Sequence, residues 1–127
     1  MYLNQDCIRD CLKFIESDLA FGHFLHLSDF LESDNLNGYS EQDIKYTLMK
    51  LSETNFLHST PTIIENNLIA FSTGMLTWNG HKFLDTIRDP EVWSKTKKVT
   101  NHLESVSISL LSEIGSKVIT NMIDKNL

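Results

Sequence analysis

Near the start of the chain, apolar residues recur at helical spacing. Cys7, Ile8, Cys11, Leu12 and Ile15 fall at i, i+3 and i+4, which predicts a helix over 4–17 capped by Asn4. "GHFLHLS" (22–28) predicts a short strand. Ser28 or Asp29 then starts a short helix around "DFLES", and "DNLNGY" is a turn. Ser40 with Asp43 resembles a capping box opening a third helix, with Ile44, Leu48 and Leu51 on its core face. "FLHSTPTIIENNLIAFSTGMLT" (56–77) predicts a hairpin. Asn66 and Asn67 tolerate the positive φ angles of its two-residue turn, and Pro61 marks an edge or broken strand. Thr77 caps a helix running to about Arg88. Asp89-Pro90-Glu91 is a fresh helix start, with a cap, a proline at the first position and an acid near the positive dipole end. Residues from 91 to about 125 predict one or two helices, with Gly115 the weak point in their continuity.

Helix, strand, helix, helix, hairpin and further helix is the order of a winged helix-turn-helix. The expected fold class is mainly α with a small β-hairpin wing (α+β) and additional C-terminal helices. The expected division is a winged-helix domain over 1–90 and a C-terminal helical extension over 91–127. The extension should pack on that domain or on a dimer partner.

The length of 127 residues suits one domain with a real core. No stretch approaches a membrane span, and "MYLNQDCIRD" has neither the basic start nor the apolar run of a signal peptide, so a cytoplasmic protein is expected. Cys7 and Cys11 share one helix face, where a disulfide is awkward. They read as reduced, buried thiols. A metal reading would need His23 and His26, which lack any zinc-finger spacing to the cysteines.

"LNQDCIRDCL", "YSEQDIKYTLMKL" and "LTWNGHKFLDTIRDPEVWSKTK" together resemble an uncharacterised bacterial and phage family, the domain-of-unknown-function twenty-five-thirteen family. The similarity runs over almost the whole chain. Its most specific part is Leu76-Thr77-Trp78-Asn79-Gly80 through Phe83-Leu84-Asp85. The resemblance implies a winged-helix-like fold and a bacterial or phage setting, and it carries no activity. Physically, Leu76 ends a strand in the core and Thr77 caps the next helix. Gly80 permits close approach by another element, and Phe83, Leu84 and Ile87 supply a buried face. His81 could be a site residue, but a lone surface or half-buried histidine is the commoner reading.

Charge bears on whether the third helix reads DNA. The formal net charge is -6. Residues 1–60 hold four Lys/Arg (Arg9, Lys13, Lys45, Lys50) against ten Asp/Glu, and residues 61–127 hold seven of each. Turning about 100° per residue from Ile44, the outward face carries Gln42, Tyr46, Met49 and Glu53, flanked by Asp43 and Lys50. This candidate interaction face (Gln42, Tyr46, Met49, Lys50, Glu53) has a suitable base reader in Gln42 and a phosphate contact in Lys50. Asp43, Glu53 and Glu41 would repel the DNA backbone. From Leu51 through His81 there is no Lys or Arg at all, so the hairpin offers no phosphate contact. A later basic cluster, Lys82, Arg88, Lys95, Lys97 and Lys98, is interleaved with Asp85, Asp89 and Glu91 and reads first as a solvated helix face.

Leu103, Val106, Leu110, Leu111, Ile114, Val118, Ile119, Met122 and Ile123 predict a helix from Leu103 to about Lys125. Leu103, Val106, Leu110, Leu111, Ile114, Val118 and Met122 form a candidate dimer stripe. Folding back over Tyr46 and Met49 would bury that stripe equally well. There is no Gly-rich phosphate loop, nucleophile elbow or metal-ligand cluster, and Asp6 and Asp10 read as solvated acids. No enzyme activity, cofactor or membrane partner is expected. The leading expectation is a non-enzymatic interaction module that binds protein, either itself as a homodimer or a host factor that it adapts or inhibits. The alternative is a DNA-binding transcriptional regulator.

Overall fold

Where the sequence supplies a cap, a helix begins. The computed structural model describes Met1–Leu127. Six helices and a three-stranded antiparallel sheet form two compact units, Met1–His81 and Lys82–Leu127.

In the first unit, α1 (Gln5–Asp18) starts at Asn4, whose side chain accepts from the Cys7 amide at 3.0 Å. Its buried face is the expected one, with Phe14 and Arg9 added. The expected strand over 22–28 is cut to β1 (Leu25–His26). The chain before it is spent on a turn, with Gly22 at φ 84 and the His23 amide donating to the Ala20 carbonyl at 3.0 Å. α2 (Leu27–Leu31) begins before Ser28 and Asp29. Asp29 lies inside its first turn and accepts from the His26 amide at 2.7 Å, so the acid serves the helix start from within. A 3-10 turn at Asp34–Leu36 leads to α3 (Glu41–Ser52), whose cap Ser40 accepts from the Asp43 amide at 3.0 Å. α1 packs on α3, and the Tyr39 hydroxyl ties the loop before α3 to Asp10 of α1 at 2.6 Å. Phe14, Phe30 and Phe71 stack edge-to-face at 5.2 and 5.7 Å, joining α1, α2 and the sheet in one core.

β2 (Leu57–Ile64) and β3 (Asn67–Leu76) form the expected hairpin, and the sheet order is β1-β3-β2. Pro61 thus lies on an outer strand, where its missing amide costs least. The turn is not Asn66-Asn67. Glu65 (φ 50) and Asn66 (φ 62) are its left-handed residues, and Asn67 already pairs with Ile64. Closing the loop there sets Leu68 into the core, and a one-residue slip would turn it out. The buried residues of β3 are Leu68, Phe71, Thr73 and Leu76, so strict alternation fails twice. Both failures coincide with bulges. Thr62 and Ile63 face Ala70 and Leu68, and Leu57 and Ser59 face Leu76 and Thr73. Each time β3 carries the extra residue. Ile69 with Ala70, and Gly74 with Met75, are therefore placed together outside the core.

One residue joins the hairpin to the next helix. The Thr77 amide donates to the Phe56 carbonyl at 2.8 Å, its hydroxyl donates to the Asn55 carbonyl at 2.5 Å, and its oxygen accepts from the Gly80 amide at 3.0 Å. Gly80 sits where a Cβ would collide with the Phe56 carbonyl. The close approach expected at this glycine is real, and its partner is the base of the hairpin.

The second unit takes up α4 (Trp78–Ile87), which begins in the first, and continues with α5 (Pro90–Thr100) and α6 (Ile108–Lys125). Asp89 caps α5 through the amides of Glu91 and Val92, at 2.9 and 3.1 Å. The last helix does not begin at Leu103. The Leu103 amide donates to the Thr100 carbonyl in a turn, and Ser107 provides the cap of α6, accepting from the Leu110 amide at 3.1 Å. Leu103 and Val106 therefore stand outside the helix. "NHLESVS" is rich in side chains that bond their own backbone, which competes with helix continuation. Gly115 does not interrupt α6. It lies against Thr86 of α4, where a Cβ would stand 3.2 Å from the Thr86 methyl. α6 packs on α5 of its own chain.

Candidate interaction surface

The outward face of α3 and the tip of the hairpin border one groove. It has a volume of about 450 Å³ and is lined by Gln42, Lys45, Tyr46 and Met49 of α3, by Asn66 and Asn67 of the hairpin, and by Met1. Three of the five residues singled out on this helix, Gln42, Tyr46 and Met49, meet there. Tyr46 and Met49 are half-buried, so they form the floor. Lys50 and Glu53 lie beyond the groove, ion-paired to each other at 3.1 Å. Sequence reasoning missed Lys45, Met1 and the hairpin side. Lys45 was legible, since it lies three residues from Gln42 and four from Met49. The return of the hairpin to α3 was not, because it depends on tertiary packing.

Electrostatically, α3 neutralises itself. Lys45 lies 3.1 Å from Glu41, one turn earlier. The hydrogen bond and charge of Glu53 hold Lys50 above its ordinary pKa, and its ammonium sits 5.6 Å over the Tyr46 ring. Across the groove the hairpin has no cation, and near its tip it exposes Ile63, Ile64 and Ile69. Chemically, the groove offers amide side chains (Gln42, Asn66, Asn67) above an apolar floor. Such a set can pair with a polypeptide backbone while packing one or two side chains.

The remaining sequence-predicted residues are dispersed. In the basic cluster, Arg88 bonds Asp85 at 2.7 Å and Lys95 lies 3.1 Å from Glu91. Lys97 stacks 5.4 Å over Trp93, while Lys82 and Lys98 are exposed. On α6, Leu111 is buried and Ile114, Val118 and Met122 are half-buried. Leu110 remains 42% exposed, so the stripe is covered on one flank only. Met122 also lines a second groove of about 500 Å³ with Val92, Ile119, Ile123 and Leu127.

Cys7 and Cys11 are fully buried with sulfurs 4.0 Å apart, whereas His23 and His26 are exposed. The hydrogen bond shared with Cys11 holds Cys7 below its usual pKa, against burial. The same hydrogen bond and its own burial push Cys11 well up. His81 lies 3.5 Å from the Glu16 carboxylate, and Asp10 is spent on Tyr39. No helix is long and apolar enough to cross a membrane.

The family model described as "Hypothetical protein (DUF2513)" matches residues 2–107. The chain belongs to this family. The match takes in the α3–hairpin groove except for Met1, and it ends just before α6. A relative in the same comparisons is an uncharacterized protein of Haemophilus influenzae (strain ATCC 51907 / DSM 11121 / KW20 / Rd). It is 29% identical over 128 residues, with 97% of this chain and 99% of the relative covered. No solved structure matches the chain. Within this DUF2513 chain the functional reading therefore rests on the groove and the surfaces around it.

Proposed function

We propose that the first unit is a winged helix-turn-helix whose helix and wing grip protein rather than DNA, making this DUF2513 chain a non-enzymatic interaction module. One observation carries the reading. The helix that would enter a major groove has both its lysines occupied by its own acids, and it faces a wing with exposed isoleucines and no lysine or arginine. Phosphate contacts supply most of the affinity of a DNA-binding winged helix. This surface lacks them and offers instead an amide-rimmed apolar groove. In the bacterial or phage setting that the family resemblance implies, the role is an adaptor or inhibitor of a host factor.

The reading is tested by fluorescence anisotropy with a random DNA duplex and by photo-crosslinking. The expected result is no submicromolar duplex binding at physiological salt. A photo-crosslinker at Met49 in the native host should trap a discrete protein, and a second substitution at Tyr46 should abolish the trap. Submicromolar duplex binding that weakens steeply with salt would establish the DNA-regulator reading in its place.

A further inference from the structure

Four of the large apolar side chains that the first unit exposes lie away from the α3–hairpin groove and the hairpin tip. Phe21 is 90% exposed, Phe24 63%, Met75 52% and Trp78 86%. Scattered single apolar residues on a surface need no account, but a cluster does.

The fold sets Phe24 against Gly74 at the β1 edge of the sheet, with Phe21, Met75 and Trp78 within a few residues of this pair along the chain. The register Leu25↔Thr73 sets Phe24 opposite Gly74, and the Phe24 ring lies across that glycine, 3.8 Å from where a Cβ would stand. The β3 bulge turns Met75 out beside it while returning Leu76 to the core. Trp78 follows on the first turn of α4, one turn before His81 on the same face. The His81–Glu16 pair draws that face to the end of α1. From there the Gly22 turn leads through Phe21 to Phe24. A left-handed glycine, a bulge and a bare glycine under a ring are three backbone devices that act on the same few residues.

The charge around them is mostly acidic, with Lys82, one turn after Trp78 on α4, the exposed cation beside them. No Lys or Arg occurs in 14–44 or in 51–81, the two segments that supply all four residues. Segment 14–44 holds seven acids, among them the exposed Asp18 and Asp29, with Glu16 against His81. Aromatic faces attract cations, and desolvation strengthens the attraction. The same carboxylates repel nucleic acid and anionic lipid. From the exposures, the patch amounts to roughly 500 Å² of apolar surface. A stable protein interface takes about 800 Å² from each partner. The area suits a short segment better than a second folded copy.

We propose that Phe21, Phe24, Met75 and Trp78 form a docking surface, separate from the α3–hairpin groove, for a cationic protein segment in which lysine or arginine alternates with apolar anchors.

The test uses the full chain and a fluorescein-labelled peptide of alternating leucine and arginine, read by anisotropy. Micromolar binding is expected, weakening as salt rises. The double variant Phe24→Ser/Trp78→Ser should bind at least about tenfold more weakly with unchanged circular dichroism, while Met49→Ser should bind as the parent does. A glycine–arginine peptide and a leucine–glutamate peptide should each bind at least about tenfold more weakly. In the parent protein, bound peptide should shield Trp78 from acrylamide quenching, which keeps the test decisive if the double variant loses its fold. The proposal is overturned if the leucine–arginine peptide does not bind. It is equally overturned if the peptide binds the correctly folded double variant undiminished or leaves Trp78 open to acrylamide. Comparable binding of the glutamate peptide or of phosphatidylglycerol vesicles would also overturn it.

Discussion

Gly80 is conspicuous because its constraint is a backbone contact. A methyl group there would strike the Phe56 carbonyl, which already accepts from Thr77 and cannot swing away without opening the hairpin base. Gly80→Ala is therefore expected to destabilise the protein by about 2–3 kcal/mol, despite the better helix propensity of alanine. A thermal melt that rises or stays level would refute the contact. Tyr39 makes a prediction with a pH signature. Burial and the hydrogen bond to Asp10 push its phenol up from the ordinary value. The protonated form is the one that fits, so its stabilisation is complete below the unfolded value of about 10 and is lost as pH rises beyond it. Tyr39→Phe should cost about 1 kcal/mol at neutral pH, and the gap to the parent should narrow in alkali. Urea titrations at both ends of that range measure it, and a gap that is constant with pH would count against the Asp10 bond.

At the scale of elements, the caps hold the helices in place. Asp89 accepts from two amides of α5, and Asp89→Ala is expected to cost about 1 kcal/mol, read as a lower denaturation midpoint. An unchanged midpoint would mean that Pro90 alone suffices to start the helix. Caps are also what the sequence displays best. Asn4, Ser40, Thr77 and Asp89 each stand a few residues before an apolar stripe, and each caps as expected. The hairpin and its outer proline were legible for the same local reason. The bulges of β3 were not, because a bulge is a relation between two strands. Read singly, "NLIAFSTGML" offers several alternations. The start of α6 was missed because Leu103 and Val106 continue its apolar period, while Ser107 looks like any other serine. Of the candidate groove, the α3 side could be read from one helical wheel. The Asn66-Asn67 side had a turn role to explain it, and nothing local hinted that it returns to α3.

At the scale of the whole chain, the charge is divided. Residues 1–81 contain four Lys/Arg and eleven Asp/Glu, and residues 82–127 contain seven and six. The resulting net negative charge makes copies repel one another. It vanishes near the pI of about 5.2. Turbidity is expected to peak near that pH and to shrink markedly when Phe21 and Trp78 are both replaced by serine. A peak that is unchanged in the double variant would mean that other surfaces drive the association. Light scattering away from the pI also reads self-association through α6. Its packing on α5 already buries Leu111 within one chain, and a second copy would have to use the open flank at Leu110.

The hydrogen bonds of Thr77 have a consequence in time. One residue closes the base of the hairpin with its amide and hydroxyl, and it starts α4 with its oxygen. Neither event is secured without the other, so a hairpin that zips from its tip ends by nucleating a helix. Helix nucleation is the slow and unfavourable part of helix growth. Here it is coupled to strand pairing already gained. Thr77→Val keeps the shape and the amide bond but removes the hydroxyl, and it should slow refolding more than it speeds unfolding. Stopped-flow fluorescence would show the slowing on the folding limb, and a change confined to the unfolding limb would separate the two events.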